Sequence, residues 1–310
     1  MSSSSQMQPY DGVYPIAPTP FNEDETIDLD GQKRVLDCMI DQNVDGICIL
    51  ANYSEQFLLM DEERDQLLIT CIEHIAGRVP VIATCSHFST RVSVERARKA
   101  ESVGADMIMV MPPYHGTGLK ASDSENFVYF ESLAAAISIP IMVQDAPLSG
   151  VQMSVEFLAE LARKLPQVCY FKIEVPGASA KLRDLIDAGG KSIQGPFDGE
   201  ESITLMADLN AGATGTMPSA LLPELIRPVV QSYLSGNPEG AADTYNSILP
   251  LINFENRQCG LRAAKTAMKE GGVIRHDTVR HPLVGLHPET RLQLIQYGTE
   301  FDILALRWGK

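Results

Sequence analysis

The segment Val168-Cys-Tyr-Phe-Lys-Ile-Glu174 places a lysine inside an apolar, strand-like run. Side chains of a strand alternate faces, so Tyr170, Lys172 and Glu174 point one way and Phe171 and Ile173 the other. With helices on one side and the interior of a closed sheet on the other, this puts an ammonium in a packed lumen. Burial disfavours the charged amine and is expected to lower its pKa from about 10.4 toward roughly 7–8. A neutral amine can condense with a ketone, and the imine is then an electron sink for carbanion chemistry at the neighbouring carbon. The plainer reading is a lumen ion pair between Lys172 and Glu174. The two are compatible, because a carboxylate two residues on can also shuttle protons.

Other strand ends add candidates for substrate binding. Ala51-Asn-Tyr-Ser-Glu55 is a polar turn whose N–H groups and hydroxyls, at Asn52, Tyr53 and Ser54, suit a carboxylate; the alternative is an ordinary helix cap. Met111-Pro-Pro-Tyr-His115 offers His115 either to a barrel mouth or to solvent. Gln144 ends another strand-like run, in Gln144-Asp-Ala-Pro147. In Asp198-Gly-Glu-Glu201, Asp198 is a candidate for hydroxyl recognition, and the carboxylates suit a loop entering a helix better than a hard-cation site. Gly190-Lys-Ser192 lacks the earlier glycine of a phosphate loop, since Leu185 stands there. His281 and His287 have no helical i, i+4 register for a metal. Neither a metal nor a cofactor is expected.

The elements that must hold these residues recur at roughly thirty-residue spacing. Apolar runs at 13–17, 46–51, 79–84, 106–111, 139–144 and 168–173, with weaker ones at 192–195 and 213–217, make eight strands separated by helical periodicity. Glycines at 46, 77, 104 and 212 suit helix C-caps. Eight alternations predict an α/β fold, a (β/α)8 TIM barrel with additional C-terminal helices. The first βα loop has no GxGxxG, which argues against a dinucleotide fold. The expected organisation is a flexible tail at 1–10, the barrel at 11–219 and a helical extension at 220–310, packed on the barrel.

The 310 residues are 45% hydrophobic, enough for a large core, and their net charge of −15 opposes nucleic acid and anionic membrane as partners. The six cysteines show no CxxC pairing and read as buried thiols. The N-terminus lacks the basic and apolar regions of a signal peptide, and no apolar run approaches the ~20 residues of a membrane span. A reduced, cytoplasmic location is therefore expected.

Several motifs in order resemble the dihydrodipicolinate synthase / N-acetylneuraminate lyase superfamily along nearly the whole chain. They are Gly12-Val-Tyr-Pro15 with Thr19-Pro-Phe21, Ala51–Glu55 at the position of the family's Gly-Thr-Thr-Gly-Glu motif, Pro112-Pro-Tyr114, Phe171-Lys-Ile-Glu174 and Gly212-Ala-Thr-Gly215. The resemblance implies that Lys172 is the Schiff-base residue of a class I lyase, and Glu174, on the same strand face, is then the best-placed base. Where the family usually has Tyr-Asn-Val-Pro, this chain has Gln144-Asp-Ala-Pro147, so the acid/base tyrosine of its aldolases is missing. Together with the segments 49–57, 111–116, 195–201 and 253–257, this looks like the branch that dehydrates L-2-keto-3-deoxyarabonate to 2-oxoglutarate semialdehyde in non-phosphorylating pentose breakdown. A class I aldolase releasing pyruvate and a catalytically silent ligand-binding barrel are the alternatives. The implied partners are a small 2-keto-3-deoxy sugar acid and further copies of the chain, in a homo-oligomeric dimer of dimers.

Overall fold

The computed structural model describes residues 10–113 and 121–310; residues 1–9 of the expected tail and His115 lie outside the described residues. Eight parallel strands form one sheet: β1 Gly12–Val13, β2 Ile47–Ile49, β3 Val81–Thr84, β4 Met107–Val110, β5 Ile141–Asp145, β6 Val168–Ile173, β7 Gly195–Asp198 and β8 Gly215–Thr216. Each strand from β2 pairs with the next, and β8 pairs with β1. The last seam closes just beyond β1. There the Cys48 N–H donates to Pro15 O at 3.0 Å and the Ala17 N–H to Cys48 O at 2.8 Å. The expected (β/α)8 barrel is the observed fold.

Helices α1 Leu29–Asp41, α2 Asp61–Ile75, α3 Thr90–Val103, α4 Asp123–Ala134, α5 Val155–Lys164, α6 Ala178–Gly189 and α7 Leu205–Asn210 follow the first seven strands. After β8 comes α8, Pro223–Leu234. It is tied to the α1 end, where Gln42 Nε2 donates to Glu224 at 2.8 Å, and to the loop before β2, where Arg227 reaches Asp45 at 2.8 Å. The ring thus takes its eighth helix from the segment expected to lie outside it. Then follow α9 Pro238–Phe254, a π-helical turn Glu255–Cys259, α10 Arg262–Glu270 and α11 Pro288–Glu300.

Strand alternation divides the apolar side chains into two cores. Phe171 and Ile173 pack outward with Leu161, Leu182 and Leu205 of the helices. Tyr170 packs inward with Tyr14, Met107, Met109, Met142, Phe197 and Met217. The lumen floor is sealed by Tyr10, expected in the tail, whose N–H donates to the Tyr170 hydroxyl at 3.0 Å.

Two local expectations are corrected. The run at 192–195 is not the seventh strand, because Gly190–Ser192 coils into a 3₁₀ turn and pairing with β6 begins only at Gly195. Gly46 is not a helix cap: Asn43 takes the left-handed position, φ 61°, and Gly46 is needed because a Cβ there would meet the Tyr14 ring at 2.0 Å. The six cysteines are all buried and unpaired. No helix among the described residues is long and apolar enough to cross a membrane.

Candidate active site

Lys172 lies one residue before the end of β6, paired in register with Gln144 of β5 and Phe197 of β7, and is 1% exposed. A bulge sets this register. Ile141 pairs with Val168 but Met142 with Tyr170, so Cys169 is the extra residue that keeps Tyr170 and Lys172 pointing inward. Lys172 Nζ donates to Glu174 Oε2 at 3.0 Å, and Gln144 Nε2 donates to the same oxygen at 2.8 Å. Lysine and carboxylate therefore share the lumen as the alternation predicts, with Gln144 steering the carboxylate.

The expected fall in the Lys172 pKa is overturned. Burial does press the ammonium to deprotonate, but the neighbouring Glu174, by its charge and its hydrogen bond, opposes this and the pKa is raised. The resting amine is an ammonium, and condensation with a ketone requires a partner to take its proton. Glu174 stands where that partner must be.

Glu201, expected in a loop entering a helix, is an electrostatic neighbour of the lumen pair. It feels Lys172, Glu174, Asp198 and the buried Glu255, and in turn acts on Tyr53. Burial, reinforced by those carboxylates against Lys172, lifts the Glu201 carboxyl well above the usual range. Lys172, bonded to Glu174, thus shares its surroundings with a second carboxyl, Glu201, whose environment favours the protonated form. The one signal in the sequence was position: Glu200 and Glu201 follow the C-terminal end of a barrel strand.

Asn52–Ser54 form a 3₁₀ turn after β2. The Ser54 hydroxyl is not free for a substrate: it donates to Ala17 O at 2.6 Å and accepts the Ala51 N–H at 3.1 Å. The N–H groups of Ser54 and Glu55 are bonded within the turn. The donors that such a turn leaves over are its leading N–H groups, those of Asn52 and Tyr53. Burial, with the charges of Glu201, Glu255 and Glu174, pushes the Tyr53 phenol pKa far up, and its hydroxyl donates to Asn256 Oδ1 of the π-helical turn at 3.4 Å. Asp198 is also corrected. It is 0% exposed, and its Oδ2 accepts the Ser202 N–H at 2.9 Å and the Thr216 hydroxyl at 2.5 Å, so it supports the site from beneath and does not bind a substrate hydroxyl.

The turn at Asn52–Ser54 is braced from the C-terminal segment. Glu55, in the left-handed region at φ 57°, forms a buried ion pair with Lys265 of α10 and accepts the Arg280 N–H at 2.9 Å. Lys265 also donates to Thr278 O at 2.9 Å and stands 4.3 Å from the Phe21 ring centre. Both charges are 0% exposed. Removing one leaves the other uncompensated, so Lys265→Met should cost about 3–5 kcal/mol in urea unfolding. Adding Glu55→Gln should recover part of it; a single variant as stable as the parent would show that the pair is not structural.

The dihydrodipicolinate synthetase family model matches residues 9–298. The chain belongs to that family. Among the family's characterised proteins, the L-2-keto-3-deoxyarabonate dehydratase of Azospirillum brasilense is 51% identical over 309 residues, covering 100% of both chains. A 4-hydroxy-tetrahydrodipicolinate synthase of Halalkalibacterium halodurans is 31% identical over 89% of this chain and 92% of its own. Among family structures, a putative dihydrodipicolinate synthetase from Pseudomonas aeruginosa superposes with a TM-score of 0.87 at 28% identity, covering 96% of this chain and 99% of that one.

Proposed function

We propose that the chain dehydrates L-2-keto-3-deoxyarabonate to 2-oxoglutarate semialdehyde through a Schiff base on Lys172. The observation that carries this reading is the buried lumen lysine bonded to Glu174, with Gln144, where an aldolase of the family would keep a tyrosine, donating to the same carboxylate oxygen. An amide cannot exchange protons near neutral pH. The full-length identity to the Azospirillum brasilense dehydratase supports the same substrate.

The chemistry runs from the resting pair. Glu174 takes a proton from the Lys172 ammonium, and the freed amine attacks C2. Two protons leave the nitrogen by way of Glu174 and depart on the C2 oxygen as water, which gives the iminium and returns Glu174 to its carboxylate. The iminium acidifies C3–H, and Glu174 removes that proton to form the enamine. The enamine expels the C4 hydroxyl as Glu201 protonates it, releasing a second water and leaving a conjugated iminium. Glu201, now a carboxylate, takes a proton from C5 while Glu174 returns its own to C3. The resulting enol becomes the aldehyde, and hydrolysis of the imine frees product and lysine. The substrate carboxylate is held by the Asn52 and Tyr53 N–H groups, and His115 is a further substrate contact.

The barrel works with a C-terminal helical extension, as a dimer of dimers in the cytoplasm. The apolar Phe57, Met60 and Phe88, 51%, 63% and 46% exposed on one face, support assembly. The unpaired thiols support a reducing compartment.

Incubation with L-2-keto-3-deoxyarabonate, followed by mass spectrometry, should show loss of one water and no pyruvate in a coupled lactate dehydrogenase assay. Pyruvate in that assay would identify an aldolase and sink the reading.

A further inference from the structure

The loop that presents Glu201 is held in a conformation its residue types do not favour. Glu201 and Ser202 are consecutive non-glycine residues in the left-handed region, with φ 48° and 71°. Such a pair persists only where its surroundings impose it. Here the Ser202 N–H is bonded to Asp198, the Ser202 and Thr216 hydroxyls lie 2.9 Å apart, and the Tyr245 hydroxyl of α9 donates to Ser202 O at 2.9 Å. Beneath the loop, Asp208 of α7 accepts the Thr204 hydroxyl at 2.6 Å and lies within hydrogen-bonding reach of Asp198. Both aspartates are 0% exposed. Each has a buried Oδ1 that no donor meets among the described residues.

Two ionised carboxylates cannot sit side by side out of water, and a buried oxygen without a donor is costly. One proton between them answers both problems. We infer that Asp198 and Asp208 share a single proton, and that this carboxyl–carboxylate pair locks the loop that aims Glu201, with Asp208 as a positioning residue. In keeping with this, burial and then the Asp198 charge push the Asp208 carboxyl up to about 8. The other titratable groups facing it are Glu200 from the loop and Tyr245 from α9, whose hydroxyl is itself raised by burial and by both aspartates. From α6, Arg183 bonds to Asn210 at 3.1 Å.

The inference rests on Glu201 as the acid of the proposed reaction, so its test includes one arm that uses no substrate. A carboxyl raised in the folded state contributes stability that is fully present below its unfolded pKa, 3.8, and is lost as pH rises toward about 8. In Asp208→Asn the amide keeps a hydrogen that pH does not remove. The Tm of the parent relative to Asp208→Asn, measured from pH 5 to 9, should therefore fall through this window and level off above it. Parallel Tm profiles would overturn the shared proton.

The second arm is kinetic. At pH 7 Asp208→Asn should retain most of the activity, whereas Asp208→Ala should lose on the order of 10²-fold in kcat with KM little changed, as a misaimed acid would. Equal loss in both variants would overturn the positioning role. If instead Glu201→Gln still dehydrates, the assignment of Glu201 fails, while the Tm arm still decides the shared proton.

Discussion

Lys172→Met is expected to abolish dehydration, lowering kcat by on the order of 10⁴-fold or more, as loss of a covalent nucleophile does. Methionine fills nearly the same lumen volume, and four other methionines already line that core, so the variant should fold. Borohydride with substrate should add a reduced keto-acid adduct to the peptide bearing Lys172 in the parent and to none in the variant. The experiment also discriminates between Lys172 and Lys265, the two fully buried lysines among the described residues. By ionisation alone Lys265 is the better nucleophile, since burial lowers it to about 8 whereas Lys172 is raised. Geometry reverses that order. Lys265 is sealed between Glu55, Thr278 and the Phe21 ring, while Lys172 faces a carboxylate 3.0 Å away that can relieve it of a proton. An adduct on Lys265, or turnover surviving in Lys172→Met, would remove the proposed mechanism.

Glu201→Gln is expected to lower the dehydration rate by roughly 10²–10⁴-fold, the usual contribution of a placed general acid. The loss should fall on one step. With Lys172 and Glu174 intact, the variant still forms the imine and removes the C3 proton, so deuterium from D₂O should enter C3 of recovered substrate while water elimination stalls. The pH dependence has a definite sign. The reactive form of Glu201 is the protonated one, and its raised pKa extends that form to higher pH than an ordinary carboxyl would allow. Activity should decline as pH rises through that pKa. Dehydration by Glu201→Gln at the parent rate would show that another group protonates the leaving hydroxyl.

Lys172 and Glu174 were legible because strand alternation is a local rule, and a lysine in an apolar run breaks it visibly. The bulge at Cys169 was not, since it depends on the register against β5. The Lys172 pKa was misjudged because desolvation was weighed alone, while the Glu174 carboxylate on the same strand comes within 3.0 Å of the ammonium and opposes it. Glu201 itself lies in a loop shaped by Asp198, Thr216 and Tyr245, whose convergence no spacing in the chain announces. Ser54 and Asp198 had suitable chemistry, but neighbours from distant segments already satisfy the groups that were expected to meet substrate. The eight strands were readable from recurrent β-branched runs, and the weak seventh was misplaced where a glycine-bearing 3₁₀ turn imitated it.

The brace from Lys265 and Arg280 to Glu55 spans more than two hundred positions of the chain, fastening the turn meant for the substrate carboxylate to a segment synthesised near the end. A chain cut short before α10 would leave Glu55 without either partner, and is expected to present that turn less firmly than the full chain does.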